Sequence, residues 1–228
     1  MTTAEMLNAF RVSYDIVNLE GPGYEDNEIL ILLNQAQSIE VLKEVAIRRW
    51  TYITNLIRNE TYSTVVPAWS TLPYHRYITP LADDYIGYVG SRSLITRTTF
   101  KSHAIAEWTD NILIKKEEAG LYLTNTNNRL ILLKPRVFEE GASDVDVSVG
   151  GNISIIHDRN TTFSGVNDFF LEFVHIPEDI ETGVDCAVNE ILHERIVKTA
   201  VNLAKNIFNP QEAGNSKQVD TLLSNPEP

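Results

Sequence analysis

Residues 26–57, DNEILILLNQAQSIEVLKEVAIRRWTYITNLI, decide the fold. Apolar residues recur there in steps of three and four, the spacing of one face of an α-helix. Asp26 is a suitable residue to cap the free amides of the first turn. The pattern predicts one long helix with the apolar positions Ile29, Leu32, Leu33, Ala36, Ile39, Leu42, Val45, Ala46, Trp50, Ile53 and Ile57. A helix of this length is typical of a bundle, a coil or a repeat, and its stripe widens after Leu42 beyond what one partner helix covers.

Two further helices flank this stretch in the sequence. The first is predicted from about Thr3 to Val17, with Thr3 as its N-cap, and Glu20-Gly21-Pro22-Gly23 ends it. The other runs from about Asp185 to Phe208 as an amphipathic stripe, and Asn209-Pro210 ends it.

The middle of the chain alternates strand patterns with turns. A short helix is predicted from Ser102 through Trp108, and Pro135 indicates an edge or a strand end. The clearest strand patterns, rich in aromatic and β-branched residues, are 84–89, 93–100, 130–133 and 168–175.

Residues 143–158 predict a β-hairpin around Gly150-Gly151. A two-residue loop opposes Val149 to Asn152 and puts the apolar residues of the two strands on opposite faces. A three-residue loop that includes Asn152 pairs Val149 with Ile153 and buries both sets on one face, so we favour it.

These elements predict an α+β protein, in which the N- and C-terminal helices form a helical bundle with a β-rich insertion between them. The expected domains are 1–60 with 185–208 for the helices and 61–184 for the insertion. Residues 209–228 contain three prolines and few apolar residues, so we expect a flexible C-terminal tail.

Composition excludes several classes of protein. The formal net charge is −12 and no segment is basic, which disfavours ordinary nucleic-acid binding. No apolar run is long enough to cross a bilayer, and no secretory signal precedes the first helix, so we expect a protein made in the cytoplasm. The single cysteine, Cys186, is expected to be a buried, inert thiol.

A search for reactive groups returns no catalytic, cofactor-binding or metal-binding residue. The five histidines, expected at the surface or at strand ends, lack metal-ligand spacing; they are His75, His103, His157, His175 and His193. No phosphate loop or nucleophile elbow occurs. The carboxylate pairs Glu117-Glu118 and Glu139-Glu140 stand in polar sequence, and Asp144-Val145-Asp146 lacks the rest of a calcium loop. We therefore expect no enzyme and no cofactor.

Three segments carry a resemblance to a known family. They are residues 28–37, EILILLNQAQ, residues 132–137, LLKPRV, and residues 189–207, NEILHERIVKTAVNLAKNI. In this order, with a β-rich insertion between two helical blocks, the chain resembles the head-to-tail connector proteins of tailed bacteriophages, in particular the ring proteins of crAss-like phages.

The resemblance implies a structural virion protein of the tail neck. It implies a homo-oligomeric ring of about twelve copies, a dodecamer, formed by the helical domain and bound to the portal and to other ring or tail proteins. Duplex DNA would pass through the ring without specific binding, and an acidic wall would repel it. The insertion is expected to reach toward the next component, and no membrane and no catalysis are implied.

Two alternatives remain open from the sequence alone. One is a monomeric binding module that holds a sugar or a peptide on the β-rich region, where Trp69, Tyr74, Tyr77 and residues 85–88 supply aromatic surface. The other is a hydrolase, which would need a compact pocket of carboxylates or histidines with perturbed pKa values.

Overall fold

The structure, a computed structural model, describes residues 1–17, 23–62, 66–68, 74–98, 104–119, 135–140, 151–158 and 163–208. The chain forms two compact units. The first comprises Met1–Leu56 and Ile176–Pro228, and the second is the continuous segment Ile57–His175. None of the helices within the described ranges has the length and apolarity needed to span a membrane. The predicted tail, 209–228, lies outside these ranges.

The first unit contains three α-helices, α1 (Thr3–Val17), α2 (Asp26–Ala46) and α3 (Glu190–Phe208). The amphipathic α3 packs against both α1 and α2, whereas α1 and α2 touch each other little. Two 3₁₀ turns, Trp50–Tyr52 and Thr54–Leu56, follow α2. The largest fully buried side chains of this core are Met6, Phe10, Ile29, Leu33, Ile53 and Leu56.

The prediction of one helix to Ile57 is wrong, because α2 ends at Ala46. Arg48 adopts a left-handed conformation with a φ of 55°. Its N–H donates to the carbonyl of Val45 at 3.0 Å, and the N–H of Arg49 donates to the carbonyl of Glu44 at 2.9 Å. This pair of bonds is a Schellman motif, which satisfies the last carbonyls of a helix and turns the chain away from its axis.

The predicted helical bundle is wrong for the same reason. With the long helix shortened to 21 residues, the terminal segments form three helices of unequal length joined to 3₁₀ turns. Ile57, expected to be the last apolar position of the helix, is the first residue of a strand. The protein is α+β, with two β-sheets in the middle of the chain and helices at its ends.

α1 spans Thr3–Val17 and α2 begins at Asp26, both as predicted, but the N-cap of each lies one residue earlier than expected. Thr2 caps α1, since its Oγ1 accepts from the N–H of Glu5 at 3.3 Å. Glu25 is the N-cap of α2, and its N–H donates to the Glu28 carboxylate at 2.9 Å. α3 starts at Glu190 and not at Asp185, because the Asn189 side chain accepts from the N–H of Ile191 at 3.1 Å.

The second unit contains two sheets. Strands β1 (Ile57–Tyr62), β4 (Tyr85–Thr98), β5 (Ala104–Asp110) and β9 (Phe163–His175) form a four-stranded sheet in the order β1-β9-β4-β5. The five-stranded sheet has the order β2-β3-β8-β7-β6. Its members are β2 (Val66–Ala68), β3 (Tyr74–Pro80), β6 (Ile112–Leu113), β7 (Arg136–Glu140) and β8 (Asn152–Asp158).

The two sheets share one hydrophobic core. β9 of the four-stranded sheet supplies Phe169, Leu171 and Phe173, which alternate along the strand as one buried face requires. The five-stranded sheet supplies buried residues from β3, β7 and β8, namely Tyr77, Val137, Ile153 and Ile155. The predicted final strand, 168–175, is therefore confirmed as part of β9.

Two predictions in this region are wrong. The short helix expected from Ser102 through Trp108 is not formed over residues 104–108, which belong to β5 and pair with β4 in a regular antiparallel ladder. The two strands expected at 84–89 and 93–100 are one continuous strand, β4, with β-bulges in its ladder to β9. Residues 130–133 lie outside the described ranges.

The predicted hairpin partner of β8, residues 145–149, also lies outside the described ranges. β8 is nevertheless paired on both sides, because Ile153 is opposite Thr79 of β3 and Glu139 of β7. β8 thus lies between β3, which is distant in sequence, and β7.

Candidate functional site

A buried ionic cluster joins α2 to α3 in the first unit. Glu40 and Glu44 lie one turn apart on the inner face of α2 and are 2% and 0% exposed. Arg195 of α3 contacts both carboxylates at 2.6 Å, through Nη2 to Glu40 and through Nη1 to Glu44. Both acids were missed because the predicted apolar stripe follows Ile39, Leu42 and Val45, whereas the buried face follows Glu40, Val41 and Glu44.

Further donors compensate the charge of Glu40. Lys43 Nζ donates to its Oε1 at 2.7 Å and Thr199 Oγ1 donates to the same oxygen at 2.8 Å. Burial raises the pKa of Glu40, but these hydrogen bonds and the charges of Lys43 and Arg195 outweigh it, so the net pKa is lowered. A carboxylate held ionised in this way stabilises the helix packing and is a poor general acid.

Polar bonds also tie α2 to the segment before α3. The Asn34 side chain donates from Nδ2 to the carbonyl of Ile180 at 3.2 Å, and its Oδ1 accepts from the N–H of Ile180 at 2.7 Å. The Cys186 thiol donates to Gln37 Oε1 at 2.9 Å, and the cysteine is buried, as predicted. Burial raises the pKa of Cys186, which disfavours the reactive thiolate.

The histidines are not brought into one site within the described ranges. His193 is buried, contrary to the prediction of a surface position, and its Nε2 bonds the carbonyl of Val188 at 3.0 Å. Its Nδ1 contacts the amino group of Met1 at 2.9 Å. His175 ends β9, as predicted, and His75 is opposite His157 in the β3–β8 ladder. His103 lies outside the described ranges.

A polar pocket of about 380 Å³ lies on the second unit. The ladders place Arg92 of β4 between Asp110 of β5 and Phe170 of β9, so the three residues form one row across the sheet. The Arg92 guanidinium stacks over the Phe170 ring at 4.7 Å. Two rows away, where Gly90 is opposite Glu172, a Cβ at Gly90 would lie 3.2 Å from the Glu172 carboxylate, so glycine leaves room for that group.

One end of the pocket is held by an amide network. Asn111 donates from Nδ2 to Ser91 Oγ at 2.9 Å and accepts from Ser93 Oγ at 2.9 Å. Tyr88 OH lies 2.9 Å from Ser91 Oγ. The pocket therefore has a fixed polar end, an aromatic ring and charges of both signs, a composition that suits a small polar ligand.

The other sequence candidates fall elsewhere. Tyr77 is buried in the core of the second unit, and Tyr85 packs against this core. The Tyr85 hydroxyl donates to Glu139. Glu140 pairs with Arg76, whereas Glu117 and Glu118 are exposed. Trp69 and the pair Asp144 and Asp146 lie outside the described ranges. Of the aromatic candidates that the structure describes, Tyr88 lines the pocket.

The outer face of α2 carries a short uncharged stripe from Ile31 to Leu42. Ile31 and Leu42 are 58% and 52% exposed, and they lie about 20° apart around the helix because eleven residues make close to three turns. The exposed positions between them are Gln35 and Ser38, and the exposed charged residues Glu28 and Lys43 border this stripe. An uncharged exposed stripe in a chain of net charge −12 is typical of a protein–protein contact, because interface cores are depleted of charged residues.

Neither metal ligation nor sequence comparison identifies the chain. Within the described residues, no group of three or more His, Cys, Asp or Glu side chains could hold a metal ion. No protein-family model matches the sequence, and no curated protein matches it.

Proposed function

We propose that this chain is a structural virion protein, a ring-forming head-to-tail connector that links the portal to the tail and lines part of the DNA channel. The observation that carries the proposal is the uncharged stripe on the outer face of α2, with Ile31 and Leu42 more than half exposed. A face of this kind is stabilised when a neighbouring copy covers it. The resemblance of the helical blocks to connector proteins supports the same function.

The charge of the chain suits a DNA conduit. The formal net charge of −12 gives a wall that repels phosphate, so that a duplex slides and is not held. The ionic cluster around Arg195 fits a structural role, because its carboxylates are compensated and locked between two helices.

The test is the mass of the purified protein by light scattering, alone and with a portal protein from the same source. A mass near about twelve subunits, or recruitment into a ring on the portal, supports the proposal. A strict monomer that ignores the portal contradicts it.

A pair of variants tests the α2 face itself. Leu42→Asp places a charge in the exposed uncharged stripe and should abolish assembly while the thermal melt of the monomer stays within a few degrees. Asn202→Asp, at an exposed position of α3 with charged neighbours, is the matched control and should assemble normally. Equal assembly of both variants would show that the α2 face is not the contact.

The pocket on the second unit favours a second candidate function, a binding module for a small polar ligand such as a sugar. Sugars bond planar polar side chains, and the pocket offers Asn111, Asp110 and Glu172 beside the Arg92 guanidinium that covers Phe170. Titration with simple sugars, followed by NMR shifts of the Asn111 amide, tests this function. Loss of those shifts in Asn111→Ala would support it, and no shift at millimolar sugar would exclude it.

A further inference from the structure

Strand β5 is exposed on both of its faces. Ile105 and Trp108 are 52% and 43% exposed, and Ala106 and Glu107 between them are also exposed. Because alternate residues of a strand point to opposite faces, Ile105 and Trp108 lie on different sides of the sheet. The adjacent strand β4 is buried on the core side, at Ser91, Ser93 and Ile95. The hydrophobic core therefore ends at β4, and β5 extends beyond it.

The outer edge of β5 offers backbone groups for pairing. The N–H of Asn111 donates to the carbonyl of Ser91 at 3.0 Å, and the β4–β5 ladder continues from there without a register shift. Since bonded and non-bonded pairs alternate in an antiparallel ladder, the N–H groups of Ala106 and Trp108 point away from β4. Among the strands that the structure describes, none pairs with this side of β5.

The opposite edge of the same sheet is complementary in direction. The order is β1-β9-β4-β5 and all three ladders are antiparallel, so β1 and β4 run one way and β9 and β5 run the other. A second copy in the same orientation would place its β1 antiparallel to β5. A sheet with an even number of alternating strands can thus continue from copy to copy, and a head-to-tail contact of this type closes into a ring when the rotation between copies divides a full circle.

Charge favours this pairing over a symmetric one. Arg58 of β1 and Glu107 of β5 both lie on the core side of the sheet, because their ladder partners Phe173 and Ile95 are buried. A register that opposes Arg58 of one copy to Glu107 of the next forms a cross-strand pair of opposite charge. If two β5 strands paired with each other, the charged residues at the contact would all be acidic, because β5 carries Glu107 and Asp110 and no basic residue.

We propose that β5 of one copy pairs antiparallel with β1 of the next copy, so that the four-stranded sheets form a continuous belt around the assembly. This inference rests on the proposed ring-forming function. The occupant of the exposed edge is a second copy of this chain. Pairing covers the apolar side chains of β5 and satisfies its outward N–H groups.

The first variant removes one outward donor. Ala106→Pro deletes an N–H that points to the free edge and leaves the bonds to β4 in place. We expect the concentration for half-assembly to rise about tenfold, the equivalent of one or two hydrogen bonds per contact. Ala106→Val keeps the N–H and is the matched control, which should assemble like the parent protein.

A cross-link locates the contact directly. Arg58→Cys and Glu107→Cys are made in two separately tagged proteins, which are mixed and oxidised, and disulfides are mapped by mass spectrometry. A disulfide between positions 58 and 107 of different copies supports the inference. A disulfide between two copies of position 107 would overturn it in favour of symmetric β5 pairing.

Charge exchange covers the case in which Ala106→Pro does not fold. Arg58→Glu alone should weaken assembly, and Arg58→Glu with Glu107→Arg should restore it. Asp84→Asn is the control for Arg58, because it removes the negative charge that pairs with Arg58 within one copy and should leave assembly intact.

The two proposals fail in different ways. If the parent protein forms rings, and the variants at positions 58, 106 and 107 form them equally well without a disulfide from 58 to 107, the edge pairing is wrong and the connector function stands. If the parent protein stays monomeric alone and with the portal, the connector function is wrong, and the edge pairing falls with it.

Discussion

Nη1 of Arg195 donates to Oε1 of Glu44 at 2.6 Å, and Glu44 has no exposed surface. The bond connects α3, near the C-terminal end of the described chain, to the last turn of α2. A buried carboxylate that loses its partner retains the full cost of its desolvation. The stability of the first unit should therefore depend on this contact more than on any single exposed ion pair.

Arg195→Met tests this dependence. We expect the free energy of unfolding, measured by urea denaturation, to fall by about 1–3 kcal/mol, because Glu44 is left buried without this partner while Glu40 keeps Lys43 and Thr199. Lys198→Met, at an exposed position one turn away on α3, should change it by less than about 0.5 kcal/mol. A loss of under about 1 kcal/mol for Arg195→Met would show that the cluster contributes little.

Glu40 should make stability depend on acid pH. Its pKa in the folded protein lies below the ordinary value of 4.5. A lowered folded pKa contributes stability that is present above the ordinary pKa and is lost as the pH falls through the lower one. Below about pH 4.5, we expect the free energy of unfolding to fall less steeply with pH in Glu40→Gln than in the parent protein. Urea titrations at several pH values would measure this. Parallel pH profiles would contradict this.

Cys186 should react slowly with thiol reagents. Burial raises the pKa of its thiol and the side chain donates to Gln37, so little thiolate is present at neutral pH. The rate with Ellman's reagent at pH 8 should be at least about tenfold lower in the folded protein than in guanidinium chloride. Because the folded protein favours the protonated thiol, Cys186 contributes stability below the ordinary thiol pKa. That stability is lost as the pH rises through the raised pKa of the folded protein. Equal rates in the two conditions would place Cys186 at the surface.

Arg48→Gly should stabilise the protein. Arg48 has a φ of 55°, which costs a non-glycine residue about 1 kcal/mol and costs glycine nothing. We expect the melting temperature to rise by a few degrees, since the end of α2 is kept and the strain is removed. Arg49→Gly is the contrast, because Arg49 has a φ of −95° and its guanidinium lies over the Tyr52 ring, so that change should destabilise.

The end of α2 illustrates a limit of sequence analysis. The apolar spacing predicted α1 and most of α3, and it placed the start of α2 within one residue. It missed the end of α2 because the left-handed position is filled by Arg48, whereas the usual signal for a Schellman motif is glycine. Because no glycine or proline stands between Asp26 and Ile57, the apolar spacing predicts a helix across the segment that forms two 3₁₀ turns.

Strand pairing set a second limit. Ala104, Ile105, Ala106 and Trp108 fit a short helix as well as a strand, and the β4 ladder decides for the strand. The partners of β8 are distant in sequence or separated from it by residues 141–150, so local turn chemistry could not reveal them. The candidate sites depend on such distant pairings, since the pocket row Asp110, Arg92 and Phe170 comes from three strands.

The division of the chain into a continuous and a discontinuous unit has a consequence for synthesis. The second unit is complete in sequence once the ribosome has translated His175, before any residue of α3 exists. α1 and α2 have then already left the ribosome, and the inner face of α2 with Glu40 and Glu44 is not yet covered by α3. Only when α3 emerges does Arg195 reach them, so the first part of the chain to be made is the last to complete its fold.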